Sequence, residues 1–340
     1  MKITAQKVCP SFRIMSRFKT FSILAALITV ETFPLLYILY FSRSQYDTAN
    51  LMKLITQVNT LYLLRSKYDT SNLMKLTAQV NTLTDNRSYY KLITFETHNV
   101  KLDENLKLLQ PTVSQQDVYI MQEIVATFSI VMTEASLTFF LYSGSLLGSW
   151  RHHGLVPWDD DLDVVVPSWQ KDAVAHVLNG LKPQFLLDAT QGVRWKFYSA
   201  RSHAIGSLPW KWPFLDISFY EENRTHIWEQ DKVCKDFIFN KKDVFPLSER
   251  PFMEMMLPAP RNTKAVLSRT YRLSVCASGR YDHRKEMARS EQKSVPCEQL
   301  QQVFPFVRRQ AAVGGHGGCN ESLVLNGNVL AWVVLSGVQC

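Results

Sequence analysis

Apolar and polar positions change their rhythm three times along this chain. From Phe21 to Phe41 the residues are almost continuously apolar, and twelve of them are Leu, Ile, Phe or Val. At about 1.5 Å per residue, a helix of that length matches the roughly 30 Å hydrocarbon thickness of a bilayer. Lys2, Lys7, Arg13, Arg17 and Lys19 precede the run with no acid among them, the asymmetry that keeps an N-terminus cytosolic. Glu31 costs about 3 kcal/mol near the centre, which the apolar residues outweigh at about 0.3–0.6 kcal/mol each. The pattern predicts a cytosolic tail over 1–20 and a transmembrane signal anchor over 21–41. A cleaved signal peptide is the alternative; the length of the apolar region and the lack of a small-x-small site close behind it argue against that.

The second rhythm is a helical stripe. Residues 43–64 recur as residues 65–86: Tyr-Asp-Thr-Ala-Asn-Leu-Met-Lys-Leu returns as Tyr-Asp-Thr-Ser-Asn-Leu-Met-Lys-Leu. Leu51, Leu54, Val58 and Leu61 step by three and four. Similar spacing runs through Leu92, Phe95, Leu102, Leu106 and Leu109 until Pro111 stops it. This predicts a helical stem over 42–110, either packed on the head as one amphipathic helix or self-associating as a coiled coil that makes a homo-oligomer. Asn and Thr in the seam make such association weak.

Beyond Pro111 helices and strands alternate, an α/β (α+β) pattern for a domain over 111–310. A helix is predicted over 118–135, a short buried strand over 138–142, a strand over 162–166, a helix over 169–181 and a strand over 214–220. Gly314-Gly-His-Gly-Gly318 reads as a loop, and Asn326-Gly327 between apolar runs as the turn of a C-terminal hairpin, giving a tail over 311–340.

Of the 340 residues 46% are apolar and 12% aromatic, enough for a packed core and against disorder. The net charge of +8 suits an anionic substrate, although five of those charges sit in the N-terminal tail. Beyond the anchor, the sequons at Asn86, Asn223 and Asn320 point to the secretory lumen. Cys234, Cys276, Cys297, Cys319 and Cys340 would meet an oxidising compartment there, with one thiol left over. No spacing suggests structural zinc. Nucleic acid is not an expected partner in that compartment.

The chemistry is concentrated in two short segments. Asp159, Asp160, Asp161 and Asp163 abut an apolar strand, and two carboxylates about 4 Å apart repel by about 4 kcal/mol at an effective dielectric near 20. Strand alternation puts Asp161 and Asp163 on one face, the arrangement that holds Mg2+ or Mn2+ against phosphate oxygens. An EF-hand is excluded, because the sixth residue from Asp159 is Val164 rather than Gly and the twelfth is Gln170 rather than Glu. Asp216 lies between Leu215 and Ile217 in a buried strand, where an aspartate needs a partner. Gly144-Ser145 stands at a predicted helix N-terminus, whose amides can receive a phosphate.

These segments together resemble the LicD, fukutin and fukutin-related group of the nucleotidyltransferase fold. The match rests on Gly144-Ser-Leu-Leu-Gly148, Arg151-His152, Pro157-Trp-Asp-Asp-Asp-Leu-Asp163, the Asp216 strand, Phe245-Pro-Leu, Pro258 and Leu267–Tyr271, across roughly residues 115–285. The resemblance implies a mixed sheet with flanking helices. It also implies transfer of a phosphorylated alcohol or sugar from a nucleotide diphosphate donor, often CDP-linked, to a glycan or glycoprotein, with a divalent cation. Mapped here, Asp161, Asp163 and Asp216 would hold the metal, with Asp159 and Asp160 orienting water or a second cation. Arg151 and Lys196 would offset donor phosphate charge. His152 or His153 would touch donor or acceptor, or serve no function, and Trp158 would be core. Arg272 stands where the group usually has glycine, which puts in doubt a turn needing positive φ. The expected setting is a single-pass type II Golgi membrane protein, or an ER one, with a lumenal catalytic head. The alternative is a non-catalytic protein of the same fold that binds nucleotide or assists another transferase.

Overall fold

A computed structural model describes residues 104–190, 192–231, 237–311, 318–338 and 340. The predicted anchor at 21–41, the duplicated stem at 43–86, Asn86, Cys234 and most of the glycine-rich loop lie outside these residues. Among the described residues no helix is long and apolar enough to cross a membrane.

Ser114 starts the first helix, α1 (Gln115–Glu134): its Oγ accepts the Asp117 amide at 3.2 Å, satisfying one of the amides that a helix start leaves open. Ile120, Ile124, Phe128, Val131 and Met132 form its buried face, and burial of each such side chain is worth about 1.5–3 kcal/mol. That face lies over β4 (Arg194–Ala204) and β5 (Lys211–Glu222). Phe128 meets Phe197 of β4 at 6.1 Å between ring centroids.

The sheet under α1 runs β1 (Phe140–Leu141), β2 (Leu162–Pro167), β5, β4 and β3 (Phe185–Asp188). β6 (His226–Glu229) takes up the edge of β5 beyond the start of β4, and β7 (Ile238–Asn240) follows it. β2 and β5 are parallel and the other pairs antiparallel, so the sheet is mixed and the head is α/β. A parallel pair needs a crossover. Helix α3 (Lys171–Asn179) and the β3–β4 hairpin supply it. The 169–181 prediction resolves into a 3-10 turn, Ser168–Gln170, followed by this shorter helix, which Gly180 ends by donating its amide to the His176 and Val177 carbonyls. Helix α2 (Ser143–His152) joins β1 to β2.

Away from the sheet, β14 (Phe306–Ala311), β15 (Gly318–Leu325) and β16 (Asn328–Ser336) form an antiparallel sheet of their own. Its turn is Asn326-Gly327, with φ of 51° and 80°, the doubly left-handed geometry that favours Asn-Gly. A buried ion cluster fastens this sheet to α2 and to β8 (Ser248–Phe252). Glu321 accepts both Arg250 (2.8 and 2.9 Å) and Arg309 (2.7 Å), and its Oε2 lies 3.0 Å from His153 Nε2. Both guanidiniums also stand over the Trp150 ring, at 5.0 and 3.4 Å.

Four of the cysteines pair as Cys276–Cys297 and Cys319–Cys340. The sequons divide. Asn223 is exposed in the β5–β6 turn, where its Oδ1 accepts the Thr225 and His226 amides at 2.9 and 2.8 Å. Asn320 sits in the middle strand β15 between Gln310 and Val334, with its Oδ1 buried, so a glycan there would have to part the packing around that strand.

The Glu321 cluster gives a first prediction. Burial alone would raise the Glu321 pKa, but His153, Arg250 and Arg309 hold it down to about 2. A depressed carboxylate pKa stabilises the fold above the unfolded value of about 4.3, and the contribution fades as pH falls toward the folded value. Glu321→Gln will therefore lower the unfolding free energy by about 3–5 kcal/mol at pH 7. In chemical denaturation that deficit against wild type will be full at pH 7 and will shrink between about pH 4 and pH 2.

Candidate active site

The parallel pairing of β2 with β5 sets Asp163 directly opposite Asp216, and the antiparallel pairing of β4 with β5 sets Lys196 opposite Asp216. All three side chains therefore leave the same face of the sheet, opposite to the one on which Phe197 meets α1. Asp161 lies two residues before Asp163 and joins them: a carboxylate oxygen from each of Asp161, Asp163 and Asp216 lies within 4.8 Å of the others. The loop leading in is fixed on both sides. Trp158 Nε1 donates to the Ala277 carbonyl at 2.8 Å, and Trp212 Nε1 to the Asp160 carbonyl at 2.6 Å.

Helix α2 begins against these acids, as its predicted start required. One of its first amides, that of Gly144, is taken up by the protein. Gly144 N–H donates to Asp163 Oδ2 at 2.9 Å, and Ser145 Oγ accepts the Asp163 amide at 2.8 Å. Gly144 lines the cavity, whereas Ser145 is buried beneath it. A Cβ at Gly144 would lie 2.6 Å from Asp159 Oδ2 and 3.1 Å from Asp163 Oδ2; glycine is what lets two carboxylates close over the helix start.

The acids are electrostatically strained. Burial, with repulsion from Asp163, pushes Asp159 up to about 7; burial and Asp216 push Asp163 up to about 6; burial and Asp163 raise Asp161 well above the usual range. Each pair at about 4 Å repels by about 4 kcal/mol at an effective dielectric near 20. An all-oxygen set of converging carboxylates, with a Cβ-free cradle behind it, fits a hard divalent cation such as Mg2+ or Mn2+. Asp161, Asp163 and Asp216 would hold it, with Asp159 beside them.

In front of the acids opens a cavity of about 880 Å³ whose lining includes Arg151, Arg194, Arg272 and Arg280. Acids on one side and guanidiniums around them suit a metal-bound diphosphate. Two expected phosphate ligands have other duties. Arg151 is buried, and its Nη2 donates to the carbonyls of Arg272, Leu273 and Val275 at 3.2, 3.0 and 2.8 Å; it clamps the cavity wall. Lys196 Nζ lies 2.9 Å from Asp216 and 3.6 Å from the centre of the Phe214 ring, as the counter-charge of the third acid. Arg272 causes no strain, since it is not among the residues with positive φ, and its carbonyl is one that Arg151 holds.

His152 and His153 belong to the interior. His152 Nδ1 lies 2.7 Å from the Pro305 carbonyl oxygen and His153 Nε2 is engaged by Glu321; neither lines the cavity. Trp158 is 2% exposed, as core. The residues that sequence reasoning did not reach are Arg194, Tyr271, Arg280, Tyr281 and His283, all lining the cavity. Arg194 carried a signal: it is two residues before Lys196 on one strand, and so on the same face. Tyr271, whose hydroxyl lies 3.1 Å from Ser143 Oγ, fell within the resemblance but was given no role. Arg280 and His283 arrive from a loop with no periodicity to read.

Residues 136–262 match the family model described as LicD/FKTN/FKRP, nucleotidyltransferase domain. The resemblance drawn from the sequence thus holds for the segment that carries Gly144, Asp159, Asp161, Asp163, Arg194, Lys196 and Asp216. The chain is also similar to the uncharacterized protein RP689 of Rickettsia prowazekii (strain Madrid E), 27% identical over 146 residues. That alignment covers 42% of this chain and 50% of the relative, so the chain spans about half the relative's length.

Two glycines of α2 separate fold from site. A Cβ at Gly148 would stand 2.2 Å from the Gly154 carbonyl oxygen and 2.9 Å from the Val156 nitrogen, both backbone. Gly148→Ala will cost about 1–3 kcal/mol of stability by overpacking. At Gly144 the obstacle is a side-chain tip, so Gly144→Ala will unfold within about 1 kcal/mol of wild type, and added Mn2+ will raise the melting temperature of wild type but not of this variant. Denaturant titration and thermal shift with and without Mn2+ check both.

Proposed function

We propose, from a chain whose residues 136–262 carry a LicD-type nucleotidyltransferase domain, that the head is a divalent-metal-dependent phosphotransferase. It moves a phospho-alcohol or phospho-sugar from a CDP-type donor to a glycan hydroxyl. One observation carries the reading: Asp163 and Asp216 are in register on adjacent parallel strands with Asp161 beside them, and Asp161 and Asp163 line a cavity that also holds four arginines. The family match by itself supports a transferase; donor, acceptor and metal are our own reading.

A bound divalent cation would neutralise the donor diphosphate and polarise the phosphorus under attack. The chain's own residues supply the rest. Asp161, Asp163 and Asp216 hold the site in a fixed geometry, because Gly144 N–H, Ser145 Oγ and Lys196 pin two of the three. Arg194 stands at the cavity wall with Nη2 3.1 Å from Glu229 Oε1, ready to meet donor oxygens. Among the described residues Asp159 accepts a hydrogen bond from the Asp160 amide alone, at 3.3 Å, and so is the carboxylate available to take the proton of the acceptor hydroxyl. The new acceptor oxygen–phosphorus bond forms as the bond to the leaving CMP breaks, and the proton ends on Asp159. Positioning and charge stabilisation supply most of the rate.

The setting we infer is lumenal, on a type II anchor over 21–41 in the Golgi or ER. The two disulfides support an oxidising compartment.

Asp161→Asn and Asp163→Asn will each reduce metal-dependent CMP release from CDP-ribitol, CDP-glycerol or CDP-choline by at least about 100-fold. Circular dichroism will report a folded head in both. Wild-type turnover in both variants would overturn the site. Metal-dependent binding of donor with no CMP release, from folded wild type, would instead establish the non-catalytic nucleotide-binding alternative.

A further inference from the structure

We propose that His283 is a ligand of the metal whose carboxylates are described above, oriented by Asp160, so that the centre has a mixed nitrogen and oxygen donor set. The proposal rests on that metal site and adds to it. His283 lies beyond the matched segment, in the turn between β11 (Tyr281–Asp282) and β12 (Met287–Ala288).

The ring is held from behind. Asp160 Oδ1 lies 2.8 Å from Nδ1, and Asp160 Oδ2 accepts the His283 backbone amide at 3.1 Å. Asp160 is 1% exposed, and Arg289 and Arg284 also approach its Oδ2, at 3.5 and 3.9 Å. Asp160 stands close enough to Asp161 and His283 for the three to share an ion; here it acts as the carboxylate that fixes the histidine's tautomer with Nδ1–H toward itself. Tyr281 and Phe214 pack on the ring, 5.1 and 6.0 Å away.

The other ring nitrogen, Nε2, faces Asp161, 3.3 Å from its Oδ2, and Asp161 is the carboxylate common to this histidine and to the group it forms with Asp163 and Asp216. Two ligands on one ion, each at about 2.0–2.2 Å, stand roughly 3.0 Å apart at a right angle and roughly 3.4 Å apart at the tetrahedral angle. The observed separation lies between these, so Nε2 and Asp161 can share one cation with little movement. A carboxylate–histidine–metal arrangement is the common way of orienting a ligating imidazole. A nitrogen donor also shifts preference away from Mg2+ toward first-row transition ions, modestly for Mn2+ and more for Zn2+.

The test uses the full chain and Mn2+ alone. Electron spin-echo envelope modulation of the bound ion will show a 14N coupling in wild type, which becomes a 15N coupling when the histidines are 15N-labelled. The coupling will disappear in His283→Gln, and the ratio of Mg2+ to Mn2+ dissociation constants will fall. Asp160→Asn will weaken Mn2+ binding by about 10–100-fold. Mn2+ bound in a manner that Asp163→Asn abolishes, yet without nitrogen coupling in wild type, would overturn the histidine ligand and leave the acidic site standing. Absence of Mn2+ binding to folded wild type would remove both.

Discussion

Like charges in register across β2 and β5 are the constraint around which the head is organised. A parallel pair brings Asp163 and Asp216 side by side, and their repulsion of several kcal/mol exceeds what a surface ion pair returns. The surrounding structure answers that repulsion piece by piece. Gly144 and Ser145 take up Asp163 from one side, Lys196 takes up Asp216 from the other, and Arg194 adds positive charge nearby. What is left over is a set of carboxylates whose pKa values remain raised, and this residue of strain is what a divalent cation would relieve.

The acids were legible because their geometry is local. An aspartate two residues from another on a strand needs no knowledge of the fold to be placed on the same face, and Asp216 stood out as a charge inside an apolar run. The helix starting at Ser143 and the hairpin at Asn326-Gly327 were legible for the same reason, since turn and cap chemistry act within a few residues. β4 was not: in Arg194-Trp-Lys-Phe-Tyr its charged positions alternate with aromatics, and only pairing with β5 reveals that Lys196 faces an acid. The loop bearing His283 was beyond reach, because its partner Asp160 is 123 residues away in sequence.

Basic residues were the least legible. Arg151, which the resemblance sets against donor phosphate, is spent on packing, as are Arg250 and Arg309. Arg151 satisfies carbonyls of the cavity wall, while Arg250 and Arg309 converge on Glu321. A guanidinium offers five donors in a rigid fork, so it serves as well to fasten backbone as to bind a ligand. Which of the two it does depends on what the fold carries to it. Residues 136–262 match a transferase family, but the wall that Arg151 clamps lies just after that segment.

This division has a physical consequence for how the site is assembled. The acids come from the sheet and are set by strand register, whereas Tyr271, Arg280 and His283 come from a stretch with little regular structure. Cys276–Cys297 spans that stretch with a sequence separation of 21, and closing a loop of that size removes roughly 3 kcal/mol of entropy from the unfolded chain. The disulfide joins β10 (Val275–Ala277) to the segment just after β13 (Ser294–Pro296). Val275 and Ala277, on either side of Cys276, supply the carbonyls that receive Arg151 and Trp158. Wall and floor are thus held by different forces: strand register and buried charge for the floor, a covalent link and two side-chain clamps for the wall. Within the site, a reducing environment would act on the wall and not on the floor, loosening the stretch that carries Arg280 and His283 while strand register keeps the acids aligned; the other disulfide, Cys319–Cys340, lies in the C-terminal sheet.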